Sequence, residues 1–292
     1  MRRISAAVIG FGYWGQILSR KILSNSTFHL LYICDISTIR GADFVSTSTV
    51  FTADLETVLL DNTVEAVFIA VPPSQHFEVA SKVMQAGKHV WLEKPCCTSL
   101  KEFEMLVVLS RDRERVLHLD FTYLYNPYIQ YIHSCLQKYP RSYFRYVSKR
   151  FNKGHIGSGD YSPLGLVTDL GVHDISIMEY LCRGLKPSSF EFTTASSGTS
   201  LAQLVANSGI YDVNVQLSWT HPTKVRDIRI QTQSLDMLFT LDAVGKECLR
   251  VFKEGATVGD VYLQGKDAVD NSIDTFHRKI EGYKDAFDDI HI

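Results

Sequence analysis

The chain has 292 residues, of which 45% are hydrophobic and 21% charged, and its formal net charge is −2 at pH 7. This composition is typical of globular proteins, and the length is sufficient for one large or two medium-sized domains. The dispersed charges exclude nucleic acid as a main partner, and the absence of an apolar run near the roughly 20 residues of a membrane helix excludes a membrane span. We therefore expect a cytoplasmic protein.

The six cysteines are scattered and form no C-x-x-C pattern. The adjacent Cys96 and Cys97 could belong to a redox or zinc site, but reduced thiols are the simpler interpretation in a cytosolic protein. The sequence therefore predicts no metal site and disfavours zinc-dependent chemistry.

In residues 1–122, continuous apolar runs alternate with segments of helical spacing. The runs predict strands at 3–9, 30–34, 64–71, 89–92 and 116–121. The intervening patterns predict helices at 14–23, 54–60, 74–86 and 99–111. Apolar strands separated by single helices indicate a parallel sheet covered on both faces. We predict an N-terminal α/β domain with a doubly wound Rossmann sheet.

Residues 123–292 differ, because after two helices at 127–137 and 173–181 the apolar residues alternate with polar ones. This alternation is typical of half-buried antiparallel strands. The predicted strands lie at 190–194, 213–219, 225–230, 237–241 and 249–252. We predict a C-terminal α+β domain with a mostly antiparallel open sheet. One face of that sheet is expected to pair with another subunit, giving a homodimer or homotetramer.

A glycine-rich motif follows the first predicted strand and opens the first predicted helix. It reads Gly10, Phe11, Gly12, Tyr13, Trp14, Gly15, which matches G-x-G-x-x-G. Asp35 ends the second predicted strand, about twenty positions after the motif, as in dinucleotide-binding proteins. A carboxylate at this position accepts hydrogen bonds from ribose hydroxyls and repels a 2′-phosphate, which favours NAD over NADP.

Two further motifs accompany the glycine motif. Glu93-Lys94-Pro95 ends a predicted strand, and a D-x-G-x-H-D pattern runs from Asp169 through His173 to Asp174. Together with the glycine motif they resemble the Gfo/Idh/MocA oxidoreductases, the family of glucose-fructose oxidoreductase and inositol dehydrogenase. Two shorter segments strengthen the resemblance, namely 70–73 with His76, and 125–127.

The resemblance implies that Lys94, Asp169 and His173 are the catalytic residues. A histidine suits the general base that takes the hydroxyl proton, and a lysine ammonium stabilises the developing alkoxide. Asp169, four residues before His173, is expected to orient the imidazole or to bind a substrate hydroxyl. Family members have a cis peptide before the proline of the Glu-Lys-Pro motif, so Lys94–Pro95 is a candidate for one.

The resemblance also assigns binding residues on both sides of the reaction. Besides the glycine motif and Asp35, the expected cofactor-binding residues are Val71, Pro72, Pro73, His76, Glu93 and Lys94. The expected substrate-binding residues are Lys94, Tyr123, Tyr125, Arg150, Asp169 and His173.

Three departures from the family pattern are visible. Tyr125 stands where family members commonly have an arginine. The segment 150–155 is expected to be a basic loop that lines the substrate cavity or is simply solvated. Relatives usually end with a strand, a loop and a long helix that packs on the Rossmann domain, whereas this chain ends after 280–292. Two interpretations are open, an abbreviated helix or a trimmed gene product.

The sequence thus predicts an NAD-dependent oxidoreductase acting on a sugar, nucleotide sugar or cyclitol. Two alternatives remain open. One is a reductase of a non-sugar substrate, such as an imine or a tetrapyrrole, on the same scaffold. The other is a non-catalytic protein that senses dinucleotide, although such a protein has no need of the proton-transfer groups Lys94, Asp169 and His173.

Overall fold

The computed structural model describes residues 2–37, 48–138, 143–151, 163–182, 191–194, 201–207, 210–219, 221–241, 246–253 and 255–284. The chain divides into two compact units. Among the described residues, the first unit contains those up to Phe121 and those from Val269 onward, and the second contains those within Thr122–Ala268.

The elements are numbered in chain order. The helices are α1 Tyr13–Ser24, α2 Leu55–Leu60, α3 Pro73–Gln85, α4 Leu100–Asp112, α5 Pro127–Lys138, α6 Pro163–Leu166, α7 Val172–Cys182 and α8 Ala268–Ile280. A 3-10 turn spans Thr122–Tyr125 and a π-helical turn spans Val167–Gly171. The strands are β1 Ile4–Ile9, β2 Phe28–Cys34, β3 Val50–Thr52, β4 Ala66–Ile69, β5 His89–Glu93, β6 Leu117–Asp120, β7 Phe144–Phe151, β8 Glu191–Thr194, β9 Leu201–Asn207, β10 Tyr211–Ser218, β11 Val225–Gln231, β12 Asp236–Leu241, β13 Glu247–Lys253 and β14 Ala256–Val261.

The first unit is a parallel sheet with the strand order β3-β2-β1-β4-β5-β6. Its central strand β4 is buried along its whole length, because helices cover both faces of the sheet. The order changes direction between β1 and β4, and the carboxyl ends of these strands are where open α/β sheets bind their ligands. The predicted Rossmann sheet is confirmed.

The last helix, α8, belongs to the first unit. Phe276 stacks on Phe28 with ring centroids 5.9 Å apart and meets Phe68 edge-on at 5.4 Å. The Trp91 indole N–H donates a hydrogen bond of 3.2 Å to the Ser272 hydroxyl. The sequence-based boundary at residue 122 assigned the α8 segment to the second domain. In the structure α8 belongs to the first unit, because its apolar stripe covers the parallel sheet.

The second unit contains a sheet whose described strands follow the order β14-β13-β12-β11-β7-β10-β9-β8. β7 and β10 pair in parallel, and the other neighbours pair antiparallel, which confirms the predicted mostly antiparallel sheet. Helix α7 contacts β7, and the π-helical turn contacts β10.

Strand β7 corrects the expectation of a loop beginning at Arg150. Its inward side chains include Tyr146, Ser148 and Arg150, so polar groups occupy positions that are usually apolar and hide the strand pattern. Arg150 therefore lies within a central strand, while the remainder of the expected loop, 152–155, lies outside the described residues.

In the part of the chain that the structure describes, no helix has both the length and the apolar character needed to cross a bilayer.

Candidate active site

The glycine motif forms the turn between β1 and α1. Gly10 has φ +90°, a conformation that side chains disfavour, and a Cβ there would lie 2.6 Å from the Ala70 carbonyl oxygen. A Cβ on Gly15 would lie 1.8 Å from the Gly10 carbonyl oxygen. Around Gly12, by contrast, a Cβ would meet no atom of the described residues within 4 Å. Gly10 and Gly15 thus permit close packing, and Gly12 leaves space in front of the turn.

That space faces the start of α1. Gly12 is the N-cap and provides no side-chain hydrogen bond, and the first turn contains no acidic residue. The first N–H groups of a helix have no partner within the helix and form the positive end of its dipole. Tyr13 and Trp14 begin the helix with side chains that are 73% and 37% exposed. The arrangement fits the pyrophosphate of a dinucleotide.

Asp35 follows β2 and is fixed next to the glycine turn. The Phe11 N–H donates to its Oδ2 at 2.6 Å, and the Ser37 N–H donates to its Oδ1 at 2.8 Å. The side chain is 7% exposed, so the carboxylate is held in one orientation. A negative charge in this position suits ribose hydroxyls and opposes an additional phosphate.

His76 in α3 connects the ends of two neighbouring strands. Its Nδ1 lies 2.7 Å from the Pro95 carbonyl oxygen, and its Nε2 lies 2.9 Å from the Val71 carbonyl oxygen. Burial lowers the pKa of His76, although hydrogen bonds to the same two carbonyls act in the opposite direction. The imidazole therefore fixes the 71–73 segment, which includes Pro72 and Pro73, against the Glu-Lys-Pro segment.

The Glu-Lys-Pro segment lies at the end of β5 and contains the expected cis peptide bond, Lys94–Pro95. Lys94 is half-buried, and its backbone N–H donates to Glu93 Oε2 at 3.0 Å. Glu93 is directly opposite Asp120 on β6, and both are buried. Burial, and next the charge of Asp120, raise the pKa of Glu93 to about 8.

In the second unit, Asp169 lies in the π-helical turn and His173 in the first turn of α7. The Trp219 indole N–H donates to Asp169 Oδ2 at 2.9 Å. The His173 ring lies edge-on to the Tyr123 ring, with centroids 5.1 Å apart. Short π-helical segments frequently mark functional positions. We expected one α-helical turn from Asp169 to His173. In the structure Asp169 lies in the π-helical turn and His173 in the α-helix that follows it.

Asp174, the last residue of the D-x-G-x-H-D pattern, is fully buried and joins Arg150 to Tyr146. Its Oδ2 accepts from Arg150 Nε at 2.7 Å, and its Oδ1 accepts from the Tyr146 hydroxyl at 2.7 Å. The Arg150 guanidinium also lies over the Tyr123 ring at 4.4 Å. Arg150 and Tyr123 are thus neighbours, and Tyr125 is 3% exposed in the same 3-10 turn as Tyr123.

Sequence reasoning missed one residue of this group, Arg226 on β11. It is 9% exposed and lies directly opposite Arg150 in the register of β11 and β7. Its side chain has Tyr123 as a hydrogen-bond partner. Its Nη1 donates to the carbonyl oxygens of Phe151 and Val225, both at 2.8 Å. The signal was present, because Arg226 shares the inward alternation of Ile228 and Ile230.

Residues 4–121 match the model of the Gfo/Idh/MocA family, described as an oxidoreductase family with an NAD-binding Rossmann fold. UDP-N-acetylglucosamine 3-dehydrogenase of Acidithiobacillus ferrooxidans is 26% identical over 303 residues, covering 99% of this chain and 92% of that protein. An uncharacterized oxidoreductase of Synechocystis sp. is 42% identical over 79 residues, but this covers 27% of this chain and 21% of that protein.

Solved structures give the same fold. The structure of the Acidithiobacillus ferrooxidans dehydrogenase has a TM-score of 0.81 at 24% identity, covering 98% of this chain and 92% of that one. A 3-ketoreductase from Actinomadura kijaniata, in complex with TDP-benzene and NADP, has a TM-score of 0.79 at 17% identity, covering 96% and 90% of the two chains.

Proposed function

We propose that the chain is a Gfo/Idh/MocA oxidoreductase, the family whose model describes an NAD-binding Rossmann fold and matches residues 4–121. In this proposal it transfers hydride between NAD and a hydroxyl- or carbonyl-bearing carbon of a sugar, nucleotide sugar or cyclitol. Among these substrates the full-length similarity to a UDP-N-acetylglucosamine 3-dehydrogenase favours a nucleotide sugar.

The glycine turn with the fixed Asp35 carboxylate carries this proposal. Gly12 and the first turn of α1 would hold the pyrophosphate, and Asp35 would accept hydrogen bonds from a ribose. The segments around Val71 and Lys94 would line the nicotinamide side. The dinucleotide, when bound, supplies the hydride acceptor or donor.

The catalytic residues in this proposal are Lys94, Asp169 and His173. His173 takes the proton of the substrate hydroxyl during oxidation and returns it during reduction, since an imidazole titrates near neutral pH. The Lys94 ammonium stabilises the negative charge that develops on the same oxygen. Asp169, held by the Trp219 indole, offers its carboxylate to a neighbouring substrate hydroxyl.

The direct test replaces His173 or Lys94 by alanine. Each variant is expected to lose at least about a hundredfold in kcat, the usual size of a general acid–base contribution, and still to bind NADH. Turnover is measured with UDP-linked hexoses, free hexoses and inositols, and NADH binding is measured by calorimetry.

The outcomes separate the alternatives. Full activity in both variants would disprove the residue assignment. NADH binding by the unaltered chain without hydride transfer to any carbonyl compound would instead indicate a dinucleotide sensor. Turnover restricted to cyclic imines or tetrapyrroles would replace the substrate class and leave the scaffold assignment intact.

A further inference from the structure

Two arginine side chains lie buried side by side in the second unit. Arg150 on β7 and Arg226 on β11 are directly opposite in the antiparallel register and are 2% and 9% exposed. Opposite residues of a strand pair project to the same face, so two like charges share one side of the sheet. Burial and the nearby Arg150 charge lower the pKa of Arg226.

Asp174 faces this pair, and its negative charge acts on both arginines. It accepts from Arg150 Nε at 2.7 Å and from Nη2 at 3.4 Å. The charge of Asp174 raises the pKa of Arg150 in opposition to burial, which lowers it. Two buried like charges are stabilised by each anion that approaches them.

One nitrogen of the pair is ready to bind such an anion. Arg150 Nη1 is buried and has no hydrogen-bond partner in the described part of the chain. Buried guanidinium N–H groups are almost always paired, because an unpaired one loses its bond to water without compensation. This unpaired donor is therefore a position where a ligand atom would be stabilised.

Tyr123 links the arginines to the proposed general base. Its ring lies under the Arg150 guanidinium at 4.4 Å, it is a hydrogen-bond partner of Arg226, and it contacts the His173 ring edge-on at 5.1 Å. Tyr123 thus contacts both the guanidinium groups that would hold an oxyanion and the ring of His173.

We propose that Arg150 and Arg226 form an oxyanion subsite that binds a carboxylate or phosphate group of the substrate. This inference rests on the proposed function and adds that the substrate is acidic. Planar guanidinium groups match the geometry of both oxyanions through paired N–H···O bonds. The oxyanion can come from a uronic acid carboxylate or from the phosphates of a nucleotide sugar.

The test measures the binding of anions to the full chain by calorimetry in the presence of saturating NADH, so that the proposed pyrophosphate site at the start of α1 is filled. Inorganic pyrophosphate and glucuronate are the probes, and glucose is the neutral reference. Both probes are expected to bind more tightly than glucose. The tighter of the two identifies the source of the oxyanion. Because no turnover is required, absence of hydride transfer leaves this measurement intact.

Substitution locates the subsite. Arg226→Gln is expected to weaken probe binding at least about tenfold, since a charge-assisted hydrogen bond is lost, and Arg226→Lys is expected to retain more of it. Arg229→Gln is the matched control, because Arg229 lies on the same strand but on the opposite face, paired with Asp236. It is expected to leave probe binding within about twofold of the unaltered chain.

Two results would overturn the proposal. One is that neither anion binds more tightly than glucose. The other is that Arg229→Gln weakens binding as much as Arg226→Gln does. If Arg226→Gln does not fold, anion binding by Arg226→Lys is compared with anion binding by the unaltered chain.

Discussion

At the scale of single residues, Asp35 determines the expected cofactor. Its carboxylate is held by two backbone N–H groups, from Phe11 and Ser37, and cannot turn away from an incoming phosphate without breaking them. In the proposed function, discrimination between NAD and NADP would therefore rest on this fixed charge.

We expect Asp35→Asn to weaken NADH binding by roughly tenfold to a hundredfold, because a charge-assisted hydrogen bond to the ribose is removed. We also expect a smaller preference for NADH over NADPH, because the charge that repels the 2′-phosphate is removed. Asparagine preserves the acceptor oxygen for Phe11. Calorimetric titration of NADH and NADPH measures both effects.

Asp112→Asn, an exposed change at the end of α4, serves as the control and should alter neither affinity. Unaltered selectivity in Asp35→Asn, or a native preference for NADPH, would contradict the role given to Asp35.

At the scale of elements, α8 shows how a distant segment completes a core. Phe276 is fully buried between Phe28 and Phe68, so the parallel sheet obtains part of its apolar cover from a helix that follows the whole second unit in sequence. Helix α8 therefore stabilises the first unit.

We expect Phe276→Ala to lower the free energy of unfolding by about 3–5 kcal/mol, the usual cost of removing a buried phenylalanine ring. Urea denaturation followed by circular dichroism measures the change. Tyr283→Ala is the control, since Tyr283 is 68% exposed and should change stability by less than about 0.5 kcal/mol. A loss below about 0.5 kcal/mol in Phe276→Ala would show that its ring contributes no core packing.

Local chemistry made α1 and its turn predictable, because Gly10 and Gly15 are required by contacts with their own neighbourhood. Arg150 and Arg226 were not predictable as a pair. Their burial depends on Asp174 and Tyr123, which approach them only in the folded second unit, and inward polar residues remove the apolar alternation that identifies a strand. The catalytic assignment came from motif resemblance and remains a prediction.

At the scale of the whole molecule, the face of the second sheet opposite Arg150 and Arg226 mixes polar and apolar side chains. Val147 on β7 lies between Asn214 on β10 and Arg229 on β11 in the strand register. Sheets with one open face are sites for pairing between copies of a chain. We propose a homodimer or homotetramer formed through this face.

Light scattering at micromolar concentration is expected to give a multiple of the mass of one chain. Val147→Glu should shift the protein towards the monomer, because it places a charge at the centre of the proposed interface. Leu60→Glu, at a residue that is 75% exposed in the first unit, should leave the mass unchanged. A monomeric unaltered chain would refute the assembly.

The division of the first unit has a consequence for protein synthesis. A ribosome delivers Met1–Phe121 before the second unit, and the parallel sheet receives α8 only after Thr122–Ala268 has been made. During that interval Phe28 and Phe68 lack the ring that later covers them. The nascent first unit therefore presents an uncovered apolar face, and chaperone binding during translation should concentrate there.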